Sequence, residues 1–527
     1  MAVEDVEFTS GNAEQKCASG GRVTSSEDVK APALALKLDP HGYPLRPQPS
    51  DDPLDPLNWS WWWKLATLLQ VSFLAFLGPF TQGYIVSVVQ HPNMAWVGVD
   101  RPQQNPAYAP LARSMHITIT EASYQTTLAI VTSGVIGLIL SPVSNVYGRR
   151  PIYIYVSTIG IAAGAGCAVA KTWGSLIAAR VFVGVGTAPG MAIGAAAVSD
   201  MYFMHERGRM MGIYVVFITN GAHVAAVCGG FTALHTSWRW CYWVPCIALA
   251  VSWLINLFYL PETLYHRDPT TGQSIRRTPS QRSLFTFLGV ANKRRIGLWD
   301  ITHCFIMLKY PSVLFCFIYY SYAFGIGTVL FAVTGAAAFG KIYHFNTAQV
   351  GMAVGLSTTI GSIIGELASG PVSDRILYVN MKRNHGAVTS ESRLTATWPG
   401  AFLLPAGVII QGVCLEYKTH WMGPILGIGI AAFGLQIVST NIYAYLADCY
   451  KPQNAEISTL LNFGRLSCFS FTLGFYMIPF AAETSFGIAW AVVALIGVAL
   501  YAGIVLLMWR GQAWREKLGA PNFHRDI

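Results

Sequence analysis

Three charged side chains lie deep inside long apolar stretches of this chain. They are Arg180, Glu366 and Arg465. A charge at the centre of a bilayer costs at least ~2.5 kcal/mol, so such residues are the first candidates for function. At 1.5 Å of rise per residue, Glu366 lies ~13 Å and Arg465 ~15 Å from the same end of their predicted helices. Burial and a nearby cation act in opposite directions on a carboxyl group, so a facing pair would form either a switchable proton site or a permanent structural bridge.

A second group of polar and aromatic side chains could contact a small organic molecule. Polar side chains in membrane helices also hydrogen-bond neighbouring helices, which is the commoner role. Aromatic side chains likewise pack or face lipid, and a histidine adds a group that titrates near neutral pH. The candidates for a substrate cavity are Asn220, His223, Tyr320, Phe324, Gln436 and Asn441.

Arginines and carboxylates also recur where apolar stretches end. A carboxylate next to an arginine at a helix end can form a latch that breaks when two halves of a protein rock. Arginines that only set membrane topology are the alternative, but the same arrangement occurs at equivalent places in both halves of the chain. The predicted cytosolic gate comprises Asn145, Gly148, Arg149, Arg150 and Asp200 in the first half, and Gly370, Asp374, Arg375 and Asp448 in the second.

The elements that must position these residues are twelve apolar stretches of about 20 residues or more, each long enough for a helix to cross a ~30 Å hydrocarbon core. A basic, polar break over 261–311 divides them into six and six. The predicted spans are 65–90, 123–144, 151–170, 174–199, 211–233, 240–260, 312–337, 348–377, 395–415, 421–448, 455–480 and 485–509. We therefore predict an all-α membrane protein of two six-helix bundles.

Composition supports a membrane protein. Of 527 residues, 53% are apolar and 12% are charged, against about 25% charged in an average soluble domain. The net charge of +9 is explained by basic loops beside anionic lipid, so we expect no nucleic-acid partner. The ten cysteines show no metal-binding spacing, and we expect no metal and no cofactor.

Basic residues fix the predicted orientation. Lysines and arginines concentrate in alternate loops and in the central break, which places both termini in the cytosol by the positive-inside rule. The predicted organisation is a disordered cytosolic tail over 1–58, a bundle over 59–260, a basic cytosolic linker over 261–311, a second bundle over 312–509 and a cytosolic tail over 510–527.

Several motifs, in order along the chain, resemble the major facilitator superfamily. That family's loop motif is matched at Gly148, Arg149 and Arg150, and its fourth-helix RxxxGxG motif at Arg180, Gly184 and Gly186. Trp238-Arg239-Trp240 and Leu260-Pro261-Glu262-Thr263 look like the fungal branch of the 12-helix drug:proton antiporters. The resemblance implies the major facilitator fold, with two pseudo-symmetric bundles, and links Arg180 to proton coupling.

One motif departs from that pattern. The antiporter signature GxxxGPxxGG maps to Gly221, Ala225, Ala226, Gly229 and Gly230, so its central Gly-Pro is replaced by Ala-Ala. Obligate antiport is therefore in doubt, while the fold is not.

We expect a secondary transporter that works by alternating access, with its cavity between the halves. Proton-coupled efflux of a drug-like compound or secondary metabolite is the leading hypothesis, with the proton gradient as energy source. Proton-coupled uptake of a nutrient or an organic cation such as a polyamine is the alternative. An intramembrane enzyme is disfavoured because no HExxH or GxSxG motif is present. We expect a monomer in the plasma membrane, with the vacuolar membrane as the other location.

Overall fold

The computed structural model describes residues 48–50, 52–53, 55–85, 115, 117, 119–265, 297–383, 390–450, 453–519 and 521. Every regular element in these ranges is helical, which agrees with the predicted all-α class. The first half contains α1 (Trp61–Gly83), α2 (Ile119–Tyr147), α3 (Arg149–Val169), α4 (Trp173–Met201), α5 (Met204–His235) and α6 (Trp240–Phe258).

The second half repeats this layout with two irregular helices. Helix α7 runs through Pro311–Phe324, a π turn at Gly325–Val329 and Leu330–Ile342, and α11 runs through Asn454–Phe463, a π turn at Gly464–Phe469 and Ser470–Glu483. Between and after them lie α8 (Thr347–Arg383), α9 (Trp398–Glu416), α10 (Met422–Cys449) and α12 (Phe486–Leu518).

Eleven helices within the described ranges are long and apolar enough to cross a membrane. The twelfth predicted span corresponds to α11, whose α-helical pieces on either side of the π turn are 10 and 14 residues long. The observed helices overlap all twelve predicted spans.

Close backbone contact builds the first bundle around α4. Helix α4 packs against α1, α2 and α3. A Cβ added to Gly186 would lie 2.0 Å from the Cα of Gly160 on α3, so only glycine fits at this crossing. Small residues at helix contacts are how membrane helices gain dispersion energy without a hydrophobic driving force. Both glycines of the RxxxGxG motif lie at such crossings, because a Cβ on Gly184 would lie 2.6 Å from the carbonyl oxygen of Ala129 on α2.

The two bundles meet at α5 and α8, and at α11 with α2 and α4. Leu466 of α11 belongs to a buried cluster that otherwise comes from the first half, including Met191, Tyr214 and Ile218. Asn462 also donates a hydrogen bond to the carbonyl oxygen of Met191, at 3.2 Å.

The ends of the bundles differ from the predicted boundaries. Helix α12 continues to Leu518, although residues from 510 onward were predicted to form a tail. The linker contains a short helix at Leu298–Thr302 and a 3-10 turn at His303–Lys309. Residues 1–47, most of the linker and residues 522–527 lie outside the described ranges.

The last part of the predicted disordered tail is folded. The carboxylate of Asp55 accepts hydrogen bonds from the N–H of Ser50 at 3.0 Å and from the N–H of Leu57 at 3.0 Å. The hydroxyl of Tyr265, beyond α6, lies 3.1 Å from the Ser50 hydroxyl. The prediction was wrong here because these polar residues satisfy one another locally and need no apolar periodicity to be ordered.

Candidate functional site

The predicted gate residues of the first half lie at one end of the bundle. We call this the basic end, because the arginine pairs described next lie there. Gly148 separates α2 from α3 with a φ of 98°, a conformation that strongly favours glycine. The Glu262 carboxylate accepts hydrogen bonds from the N–H groups of Arg149 at 3.0 Å and Arg150 at 3.1 Å. A carboxylate at a helix N-terminus satisfies unpaired N–H groups and complements the helix dipole.

The arginine side chains of this junction tie three helices together. The Nε of Arg149 lies 2.6 Å from the Oδ2 of Asp200 at the end of α4. The guanidinium of Arg150 donates to the carbonyl oxygen of Leu257 on α6, at 3.0 Å. The structure thus brings the predicted Gly148, Arg149, Arg150 and Asp200 together. Asn145, also predicted, lies half-buried near the end of α2.

The second half has a corresponding set of contacts at the basic end. Asp448, at the end of α10, forms an ion pair with Arg393 at 2.5 Å. The guanidinium of Arg515 on α12 donates to both oxygens of Glu391, at 2.7 and 2.9 Å. Arg393, Glu391 and Arg515 were not among the predicted gate residues. Glu391 and Arg393 directly precede α9, as Arg149 and Arg150 begin α3. Arg515 lies near the end of α12, as Glu262 lies beyond the end of α6.

The other predicted gate residues of the second half lie on α8. Gly370 and Arg375 are exposed, and the side chain of Asp374 lies outside what the structure describes. Their role in a gate remains a prediction.

A polar cluster in the middle of the bundle connects α8 to both neighbours. The Oε2 of Glu366 accepts hydrogen bonds from Gln436 at 2.6 Å and from Thr440 at 2.7 Å, both on α10. Its Oε1 is directed towards α5, where a Cβ on Gly212 would lie 3.1 Å away. One turn earlier, the Ser362 hydroxyl donates to Asn220 of α5, at 2.9 Å.

Two other predicted cavity residues hold helices in contact. Asn441 donates to the carbonyl oxygen of Ile437 within α10 at 2.8 Å and lies 3.4 Å from the Ser369 hydroxyl on α8. His223 is buried on α5, where its carbonyl oxygen would lie 2.6 Å from a Cβ on Gly355 of α8. Among the described residues, the imidazole nitrogens of His223 have no hydrogen-bond partner.

Arg465 lies in a different setting from Glu366. It is 3% exposed, and its Cζ lies 4.8 Å from the centroid of the Phe324 ring. Tyr320 hydrogen-bonds to it, the ring centroids of Tyr320 and Tyr443 lie 5.4 Å apart, and Tyr214 belongs to one buried cluster with Leu466, the next residue along α11. We call Arg465 and these four rings the arginine–aromatic cluster. The described hydrogen bonds of Glu366 go to α10, so the structure does not form the Glu366–Arg465 pair that their similar depth allowed.

Tyr443 and Tyr214 were not among the predicted site residues, although the spacing of polar residues on α10 indicates Tyr443. Gln436, Thr440 and Tyr443 recur at helical spacing on α10, which places them on one face. Tyr214 gave no such signal, because its position depends on how α5 meets the second half.

Arg180 lies in a third site, within the first half. It is 1% exposed, and its Nε donates to Gln125 of α2 at 3.3 Å. The Tyr242 hydroxyl of α6 donates to the same oxygen at 2.5 Å, and the guanidinium Cζ lies 4.9 Å from the Tyr242 ring centroid. This arginine is therefore stabilised by neutral partners from two helices. No group of three His, Cys, Asp or Glu side chains in the described ranges could hold a metal ion.

Comparison with known proteins places this architecture in one class. The family model of the Major Facilitator Superfamily matches residues 71–465. The chain belongs to this superfamily and is a membrane transporter of the branch that includes fungal efflux pumps.

The relatives are fungal proteins of similar length. The chain is 30% identical to the MFS transporter cpaT of Aspergillus oryzae, covering 77% of this chain and 78% of that protein. It is 27% identical to the efflux pump radE of Floropilus chiversii, covering 88% and 84% of the two chains. The crystal structure of the human organic anion transporter MFSD10 has the same fold, with a TM-score of 0.52, 14% identity and coverage of 84% and 99%.

Proposed function

We propose that this transporter exports a small organic molecule from the cytosol in exchange for protons. The names of relatives such as the efflux pumps radE and vrtL support export. The observation that carries the proposal is the placement of Glu366. It is a carboxyl group inside the membrane-spanning part of the bundle, with one oxygen bonded to α10 and the other directed towards α5 of the opposite half.

Glu366 is suited to couple a proton to the movement of the halves. A proton on Oε1 changes the charge at the contact between α8 and α5, while Gln436 and Thr440 keep Oε2 in place. Two conformations that differ in how they solvate this oxygen bind the proton with different affinity, and that difference shifts the equilibrium between them. Alternating access then delivers the proton to one side and the cargo to the other.

The basic end is proposed to face the cytosol. Its basic residues would lie beside anionic lipid, and the contacts Arg149–Asp200 and Arg393–Asp448, each within one half, would hold that half together when this end opens. We place the transporter in the plasma membrane as a monomer, with the vacuolar membrane as the alternative location. We propose no enzymatic activity.

The test compares metabolites inside and outside cells with the gene intact, deleted or restored. Export predicts a compound that accumulates inside deletion cells, and that accumulates in complemented cells when a protonophore is added. Glu366→Gln should fail to restore export, because glutamine keeps the shape of the side chain but cannot exchange a proton. Glu483→Gln, at an exposed glutamate, is the matched control and should restore it.

Uptake is the second candidate because Ala225 and Ala226 replace the antiporter Gly-Pro. Uptake of a nutrient or organic cation would show as a compound that deletion cells fail to accumulate, and this result would overturn export. Full activity of Glu366→Gln would remove this residue from proton coupling.

A further inference from the structure

The arginine–aromatic cluster lies at the contact between the two halves. Tyr320 and Phe324 come from α7, Tyr443 from α10 and Tyr214 from α5 of the first half. Leu466, the next residue after Arg465, packs among first-half residues. Transporters of this architecture hold their cargo near the midplane, between the repeats. The cluster therefore occupies the region where a cargo contacts both halves.

Helices α7 and α11 each contain a π turn next to or including a residue of the arginine–aromatic cluster. Arg465 is the second residue of the π turn Gly464–Phe469, and Phe324 directly precedes the π turn Gly325–Val329. A Cβ added to Gly325 would lie 2.7 Å from the side chain of Leu473, so the turn of α7 lies against α11. Single π turns are rare and occur often at functional sites. Arg465 lies within one of them, and its aromatic neighbour Phe324 directly precedes the other.

The chemistry of the cluster selects for one type of ligand. A guanidinium remains charged at every physiological pH and binds a carboxylate through two parallel hydrogen bonds. The rings of Phe324, Tyr320 and Tyr443 offer faces and edges on which an aromatic group can stack. A cationic amine would be repelled by the buried positive charge, and a neutral molecule would displace the arginine's present contacts without replacing them.

We infer that Arg465 binds the carboxylate of an aromatic organic acid, and that the rings around it hold the aromatic part of this cargo. The inference rests on the proposed transport function, because it names the class of molecule that is carried. Arg465 then recognises cargo, while Glu366 handles the proton, since the described hydrogen bonds of Glu366 are made with α10 and α5 lies beside its other oxygen.

The experiment measures binding to the purified full-length transporter in detergent. The probes are three fluorescent aromatic acids, namely 1-naphthoate, 2-naphthoate and 9-anthroate, each compared with its methyl ester. The wild type should bind at least one acid about tenfold more tightly than its ester, as expected from one charge-assisted contact. Arg465→Gln should lose this preference while ester affinity stays within about twofold. Equal binding of acid and ester by the wild type would overturn the inference.

Three further variants separate recognition from folding. Arg465→Lys keeps the charge without the two-pronged geometry, so it should retain part of the preference. Arg510→Gln removes an exposed arginine of α12 and should leave the acid-to-ester ratio unchanged. Phe324→Leu should weaken naphthoate relative to octanoate, and this ratio can be measured even if Arg465→Gln does not fold. Equal loss of acid and ester in Arg465→Gln, or no change in Phe324→Leu, would leave the cluster a purely structural role.

The result is independent of proton coupling. Selective acid binding without proton-dependent transport would contradict the proposed function and support the ligand class. Proton-dependent transport of neutral or cationic compounds, with no acid preference, would do the reverse.

Discussion

Glu391 and Arg515 form an ion pair that links the segment before α9 to α12, whereas in the first half the start of α3 is linked to the segment after α6 by backbone N–H groups that donate to Glu262. In the first half, Glu262 follows α6 and accepts hydrogen bonds from the backbone N–H groups of Arg149 and Arg150, while the Arg150 guanidinium donates to the carbonyl oxygen of Leu257. In the second half the carboxylate precedes α9 and the arginine lies on α12. Both bundles therefore connect this junction to their last helix through a carboxylate, which accepts from backbone N–H groups in the first half and from an arginine side chain in the second.

Exchanging the charges of Glu391 and Arg515 should be tolerated, because the exchanged arginine and carboxylate can form the same ion pair. Glu391→Arg alone and Arg515→Glu alone should each lower the free energy of unfolding by about 2 kcal/mol, the scale of hydrogen bonds to charged groups. The double variant Glu391→Arg/Arg515→Glu should recover most of this loss. Thermal unfolding in detergent measures all three. Additive losses in the double variant would show that the two side chains act independently.

Gly148 should not tolerate a side chain, whereas Gly370 should. A Cβ at Gly148 would lie 2.7 Å from Glu262 on a backbone with a φ of 98°, so Gly148→Ala should cost about 1–3 kcal/mol. Gly370 lies on α8 with open space beside it, and Gly370→Ala should be neutral or stabilising by up to about 1 kcal/mol. Stability measured by denaturation tests both. Similar effects of the two substitutions would contradict the capping role of Glu262.

The two arginine–aspartate pairs at the basic end should respond differently to mutation and to salt. The Arg149 side chain is 6% exposed and that of Asp200 is 23% exposed, against 29% and 39% for Arg393 and Asp448. Asp448→Asn should therefore cost less than about 1 kcal/mol, with the difference reduced in high salt. Asp200→Asn should cost more at every salt concentration, because it leaves a buried guanidinium without its carboxylate. Equal, salt-sensitive effects would mean that burial does not distinguish these pairs.

The crossing of α3 and α4 gives a test of packing alone. Gly186→Ala should strongly destabilise the first bundle, because its Cβ would lie 2.0 Å from Gly160 backbone. Gly166 of α3 faces α4 with more room. A Cβ there would lie 3.7 Å from Ala179, an ordinary contact, so Gly166→Ala should have little effect. The yield of folded protein on size-exclusion chromatography measures both. Normal folding of Gly186→Ala would show that the two helices can separate at little cost.

The sequence predicted the helices well because each span is a long apolar run with its own physical signal. Side-chain pairing was harder to predict. Depth along a helix can be counted from the sequence, and it placed Glu366 and Arg465 at similar levels. The direction in which each side chain points around its helix depends on packing between helices, and Glu366 points to α10 instead.

In the second-half gate, too, the pairing of side chains could not be predicted from the order of residues alone. Asp374 and Arg375 were predicted because they resemble the first-half junction in order and spacing. The arginine that pairs with Asp448 is Arg393, which lies beyond the loop, directly before α9. Only the folded position of the α8–α9 connection brings it to the end of α10.

The π turns have a consequence for how this site can change over time. A π turn contains about one residue more than the α-helical turn it replaces, so each is equivalent to a one-residue insertion that the helix has absorbed. Deleting one residue within Gly464–Phe469 would restore an ordinary helix and keep the downstream core residues Leu473 and Met477 on their present face. The chain can therefore gain or lose the local geometry around Arg465 through a single codon, without redesigning the rest of α11.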